Sequence, residues 1–169
     1  MTTFDIIVAA DLRWGIGKSG AMPWPKLKGD LIHFKHTTIG SGNNLIVMGR
    51  KTWESREISS KPLPKRFNLI LTKKDPLIGD NYAYVNTMDD VMDIGSAFEH
   101  VYLIGGAEII RSALIDRRLR YIYLTRIYDN YDCDTFIPDL SSMPIDSWQN
   151  NLDYDADGIS YTIRRLRVC

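Results

Sequence analysis

Asp30 is an acid set among apolar neighbours, Leu31 and Phe34, on an otherwise amphipathic stretch. Just before it runs Gly15-Ile16-Gly17-Lys18-Ser19-Gly20-Ala21-Met22-Pro23-Trp24-Pro25. The glycines leave that loop mobile at one end, and Pro-Trp-Pro stiffens the other. The pattern predicts a mobile cover over a carboxylate on the wall of an apolar pocket.

Three further places could handle an anion. Ile104-Gly105-Gly106 follows a strand-like run and opens a helix, where glycines allow close backbone approach and free N–H groups face a phosphate. A plain strand-to-helix turn would read the same way, since no GxGxxG is present. Met48-Gly49-Arg50-Lys51-Thr52 puts two cations at a helix start, where they oppose the macrodipole unless an anion joins them. Leu71-Thr72-Lys73-Lys74 adds positive charge at a third strand end. In a doubly wound sheet these ends share one crevice, so the set predicts a nucleotide with several phosphates. A 2′-phosphate would need Arg50, Lys51, Thr72 or Lys73.

Other chemistries find less support. His33 and His36 lie three apart, but with only His100 besides they read as surface histidines rather than metal ligands. Asp129, Asp132 and Asp134 lack the calcium-loop pattern and suggest a solvated hairpin connection. No serine sits in a nucleophile elbow, and neither Cys133 nor Cys169 has an evident partner.

The elements that must position these groups alternate. Asp5–Ala10, Asn44–Met48, Phe67–Leu71, Ala83–Val85 and Val101–Ile104 are short apolar runs suited to strands buried on both faces. Helical spacing appears from Leu31 to near Gly40, over Asp89–Phe98 and over Ala107–Leu114. The alternation implies α/β architecture with a mostly parallel sheet. Tyr121–Ile127 and Ser160–Val168 look like antiparallel edge strands, and Asp139–Gly158 between them reads as a long surface loop. A length of 169 residues suggests one domain, and 44% hydrophobic with 25% charged residues argues against disorder. Zero formal net charge gives no general pull toward nucleic acid or anionic membrane. There is no run long enough to span a bilayer, no signal-like N-terminus and no disulfide framework, so a reduced cytoplasmic setting is expected.

Ala9-Ala10, Gly15-Ile16-Gly17, Met22-Pro23-Trp24, Asp30, Phe34-Lys35, Met48-Gly49-Arg50-Lys51-Thr52-Trp53, Pro62-Leu63-Pro64-Lys65-Arg66, Ile104-Gly105-Gly106 and Asp134-Thr135-Phe136-Ile137-Pro138 fall in an order that resembles the dihydrofolate reductase family. The resemblance covers nearly the whole chain. It implies a single domain over 1–169, with a twisted, mostly parallel sheet of about eight strands, an antiparallel C-terminal edge and about four flanking helices. It also implies NADPH as cofactor and reduction of 7,8-dihydrofolate to tetrahydrofolate, feeding one-carbon and thymidylate metabolism. Antifolate inhibitors would be ligands, and the family suggests a monomer.

By the same resemblance, Asp30 binds the pterin N3 and 2-amino group, Thr125 braces its carboxylate, and Trp24 holds a nearby water. The Met22 loop admits the solvent that protonates N5. Leu31 and Phe34 pack on the pterin and benzoyl rings, Arg66 takes the α-carboxylate, and Val8, Ala9, Lys35 and Ile104 complete the substrate set. Arg50, Lys51 and Thr52 contact phosphates, Thr72 and Lys73 lie near the 2′-phosphate, and Ala10 and Ile16 hold the carboxamide through their backbones. Gly105 and Gly106 form a cis-linked pair beside the cofactor. Gly17, Gly49, Leu71, Ala107, Glu108, Ile109 and Ile110 complete that set. The chain departs from the family pattern at Ile110, where tyrosine is usual, at Glu108, where some bacterial members carry a cation, and at Arg56, where an aliphatic usually packs. A same-fold reductase of a riboflavin-pathway pyrimidine is one competing reading, and Asp30, Trp24 and Arg66 oppose it. A binding module without chemistry is another, and only Ile110 speaks for it.

Overall fold

The computed structural model describes residues 1–146 and 152–168. In chain order the elements are β1 (Phe4–Ala10), β2 (Gly15–Gly17), α1 (Lys28–Ile39), β3 (Asn44–Gly49), α2 (Arg50–Trp53), β4 (Phe67–Leu71), β5 (Leu77–Ile78), β6 (Tyr82–Val85) and α3 (Met88–Gly95). There follow β7 (His100–Gly105), α4 (Ala107–Ala113), β8 (Leu119–Ile127), β9 (Thr135–Phe136), β10 (Leu152–Ala156) and β11 (Ile159–Arg167). The apolar runs became strands because helices and loops cover both faces of the sheet, so each side chain of Leu45-Ile46-Val47-Met48 is buried.

The main sheet has the order β10-β11-β8-β1-β7-β3-β4-β6-β5. Pairings from β8 through β6 are parallel, whereas β11 on β8, β10 on β11 and β5 on β6 are antiparallel. The architecture is therefore the expected α/β one, with nine strands in this sheet where about eight were expected. The carboxyl ends of β1, β7, β3 and β4 lie side by side, which is what brings the three anion-competent turns together.

One expectation fails in the C-terminal region. Part of the stretch from Asp139 to Gly158 is not loop: β10 pairs with β11 through a two-residue Asp157-Gly158 turn, with φ of 54° and 75°. Asp-Gly accepts left-handed backbone at both positions, and this turn twists with its flanking strands. The polar residues of β10, such as Asp153 and Asp155, disguise it, because an edge strand faces solvent and needs no apolar alternation. Trp148 lies outside the described residues, as does Cys169.

Asp11 ties the end of β1 to the start of β2 and to the loop before β9. Its Oδ1 accepts the N–H groups of Arg13 and Gly15, each at 2.9 Å, and its Oδ2 accepts from the Tyr131 amide at 3.1 Å and the Cys133 thiol at 3.4 Å. Burial alone would raise the carboxyl pKa, but these donors outweigh it and hold Asp11 below its ordinary value. Burial and the neighbouring Asp11 push the Cys133 thiol up to about 11, so it is a structural thiol, not a nucleophile. A folded value below the unfolded one makes Asp11 stabilising above the unfolded pKa, and that contribution is lost as pH falls through the folded value. Asp11→Asn is therefore expected to cost about 2 kcal/mol at neutral pH and much less in acid, as read by urea midpoints across pH.

Candidate functional site

A crevice of about 2080 Å³ crosses the carboxyl edge of the sheet, larger than a single small-molecule pocket requires. Its floor near α1 carries Asp30. The Thr125 hydroxyl, from the adjacent strand β8, donates to Asp30 Oδ1 at 2.6 Å. Burial pushes the Asp30 carboxyl above the usual range, with the Thr125 bond pulling the other way. Thr125→Val is expected to raise that pKa further, as read by an upward shift of the carboxyl's NMR titration midpoint.

Asp30 lies in the first turn of α1, whose start is fixed from outside. Gly29 faces Tyr161 and Tyr154, whose rings stack at 4.7 Å, and a Cβ on Gly29 would approach the Tyr161 hydroxyl to 2.5 Å. Trp24 and Leu27 are buried in the same cluster, so the chain entering α1 is anchored just before the acid. Val8, Ala9, Met22, Trp24, Leu31, Phe34, Lys35 and Ile104 line the space around Asp30.

At the far end of α1, Arg66 also lines the crevice. It is only 5% exposed. Its Nε donates to the Pro64 carbonyl at 2.9 Å and its Nη1 to the Thr38 hydroxyl at 3.0 Å, while Thr38 in turn donates to the Phe34 carbonyl at 2.7 Å. Among the described residues no carboxylate pairs with this guanidinium. Burial lowers its pKa without displacing its charge, because arginine remains protonated in proteins. A held, half-satisfied fork facing the crevice is built for an anion.

The other arm holds the anion-competent turns. Gly105 and Gly106 are joined by a cis peptide bond, and Gly105 has a φ of 131°, which a side chain would rarely adopt. Ile16, Gly17, Gly49, Arg50, Lys51, Thr52, Leu71, Thr72, Lys73, Ala107, Glu108 and Ile109 line this arm. A Cβ on Gly106 would meet Thr52 Oγ1 at 3.4 Å, so the backbone itself forms the wall there. Arg50 and Lys74 both pair with Glu54, at 2.9 and 3.5 Å, leaving a cationic edge beside β4.

Three expected site residues do not reach the crevice surface. Thr125 acts from behind Asp30. Ala10 is fully buried, so only its backbone is available for the role expected of it. Ile110 is also fully buried and packs in the main core. Successive helix positions diverge by about 100°, so Ile109 faces the crevice while Ile110 turns to the sheet. His33 departs from a surface histidine as well: it is half-buried, and burial pushes its imidazole down to about 4.

The Met22 loop is more structured than a free flap. Strand β2 within it pairs with β9, and Asp134 accepts the Ser19 amide at 2.9 Å while its own amide donates to Gly17. Sequence reasoning placed Asp134 in a solvated connection and missed this contact, since 115 residues separate the partners. Thr38 and Glu57 were missed for the same reason: each acts on a distant backbone or side-chain atom.

Fold and crevice together define an α/β protein whose ligand site spans the carboxyl ends of a parallel sheet. The particular family follows from comparison. The dihydrofolate reductase family profile matches residues 3–165, and the chain belongs to that family. It is 32% identical over 148 residues to the dihydrofolate reductase of Mus musculus, covering 80% of this chain and 79% of that one. It is 36% identical over 172 residues to bifunctional dihydrofolate reductase-thymidylate synthase 1 of Arabidopsis thaliana, covering 94% of this chain. The chain spans about a third of the length of such bifunctional plant relatives. Among solved structures, the Enterococcus faecalis dihydrofolate reductase complexed with NADP(H) and RAB-propyl shares the fold, with a TM-score of 0.81 at 24% identity and coverage of 98% and 95% of the two chains.

Proposed function

We propose that this chain reduces 7,8-dihydrofolate to 5,6,7,8-tetrahydrofolate with NADPH. The observation that carries the reading is the presence, in one crevice, of a protonatable acid at Asp30 in the first turn of α1 and of the buried guanidinium of Arg66, which bonds Thr38 near the end of that helix. A pterin ring on the first and a glutamyl carboxylate on the second would use both. Family membership supports the same substrate.

The residues present fit the dinucleotide. Side-chain-free backbone at Gly105 and Gly106, the Thr52 hydroxyl beside them, and Arg50, Lys51, Thr72 and Lys73 offer N–H, hydroxyl and cationic contacts for phosphates. When bound, the reduced nicotinamide supplies the hydride. The chain contributes position and electrostatics. Asp30 fixes the pterin by its N3 and 2-amino edge, Leu31 and Phe34 hold the rings, and Trp24 and the Met22 loop control water at the reacting face. Asp30 then acts on the pterin electronically, and solvent passing the Met22 loop delivers the proton to N5.

Zero net charge supports small-molecule rather than nucleic-acid partners, and no helix among the described residues is long and apolar enough to cross a membrane. A monomer in the cytoplasm, sensitive to antifolates, completes the reading. The test is loss of NADPH absorbance with and without dihydrofolate. Consumption that requires dihydrofolate and is blocked by an antifolate supports the proposal. Binding of either ligand without turnover would instead mark a module that has lost the chemistry.

A further inference from the structure

The Met22 loop is tied to the turn after α2 as well as to β9 and its neighbours. The Met22 backbone N–H donates to Glu57 Oε1 at 2.9 Å, joining two crevice-lining residues 35 positions apart. The two sides differ in stiffness. Glu57 stands on a tightly closed turn, in which the Ser59 amide bonds the Ser55 carbonyl and the Ser60 amide bonds the Trp53 carbonyl, each at 2.7 Å. Trp53 below it is 2% exposed. On the loop side, Lys18 and Ala21 bond each other and Ser19 meets Asp134, but these contacts stop short of Met22. The Met22 side chain packs against the cluster of Trp24 and Leu27, and the Glu57 bond adds the hold on its backbone.

We propose that Glu57 is a positioning residue that latches the Met22 loop shut, and so sets how fast ligands leave the pterin side. An ionised carboxylate is a stronger acceptor for an amide than a neutral group, and its exposed position keeps the latch breakable. Loop opening of this kind commonly limits product release. The assignment rests on the folate reading for the identity of the ligand, but not for the contact.

Two measurements test it on the whole chain, using Glu57→Ala and Glu57→Gln. Amide hydrogen exchange at Met22 needs no substrate: it should be about tenfold or more faster in Glu57→Ala than in the parent, and at least partly slowed again in Glu57→Gln, which keeps an oxygen acceptor. Tetrahydrofolate release, followed by trapping, should be about three- to tenfold faster in Glu57→Ala with the thermal midpoint unchanged, and the glutamine variant should fall between. Equal Met22 exchange in parent and alanine variant overturns the latch whatever the substrate. Faster exchange with release within twofold of the parent overturns its control of ligand exit. Failure of the parent chain to turn over dihydrofolate would overturn the folate reading instead, and the exchange comparison would still decide the latch.

Discussion

Replacing Asp30 by asparagine is expected to reduce turnover of dihydrofolate by about 10²–10³-fold at neutral pH, the range for loss of one preorganised electrostatic contact to the reacting group. The amide keeps the size of the carboxyl and can still accept from Thr125, so the crevice should hold its shape. What disappears is the ability to carry a negative charge against the pterin edge when the ring gains a proton. Activity should recover in part as pH falls, because the solution then protonates the substrate without help. Stability should move the opposite way. A raised carboxyl pKa means that the folded chain binds the proton more tightly than the unfolded chain does. Ionised Asp30 therefore costs stability, increasingly from about pH 4 up to the folded value, and asparagine removes that cost. A variant that is less active yet melts higher at neutral pH is the expected pair of results; undiminished hydride transfer would refute the role given to Asp30.

Replacing Arg66 by methionine should raise KM for dihydrofolate about 10²-fold or more, since truncating one member of a desolvated charge pair costs several kcal/mol. NADPH affinity should stay within about twofold. The comparison that isolates the interaction uses a dihydropterin lacking the glutamyl tail, for which parent and variant should have similar KM values. Lysine should not restore affinity, because the Thr38 and Pro64 contacts aim a planar fork that an ammonium cannot reproduce. An equal loss with the tail-free compound would show that Arg66 supports the crevice rather than the tail.

Legibility in the sequence followed the range of the forces involved. The strands β1, β3, β4 and β7 could be read because burial on both faces leaves an unbroken apolar run. Their glycine and basic ends were readable because close approach and anion binding restrict residue type. Edge strand β10 was hidden, since its polar residues face water and only Asp157-Gly158 marked it. Ile109 and Ile110 could not be told apart as crevice and core without the rotation of α4, which depends on how that helix docks on β7.

By itself the sequence determined which residues could do chemistry: an isolated acid beside a glycine-rich loop, an arginine in a proline-bounded segment, and three strand ends suited to phosphate. It also determined the family, through the order of those pieces. Tertiary structure alone decided what those groups meet: Thr125 on Asp30, Thr38 on Arg66, Asp134 on Ser19 and Glu57 on Met22. Each of these contacts joins residues 28 to 115 positions apart. Residue type and local periodicity constrain conformation over a few positions only. Partners at long separation are set by strand order and packing, and these emerge when the whole chain buries its apolar surface at once.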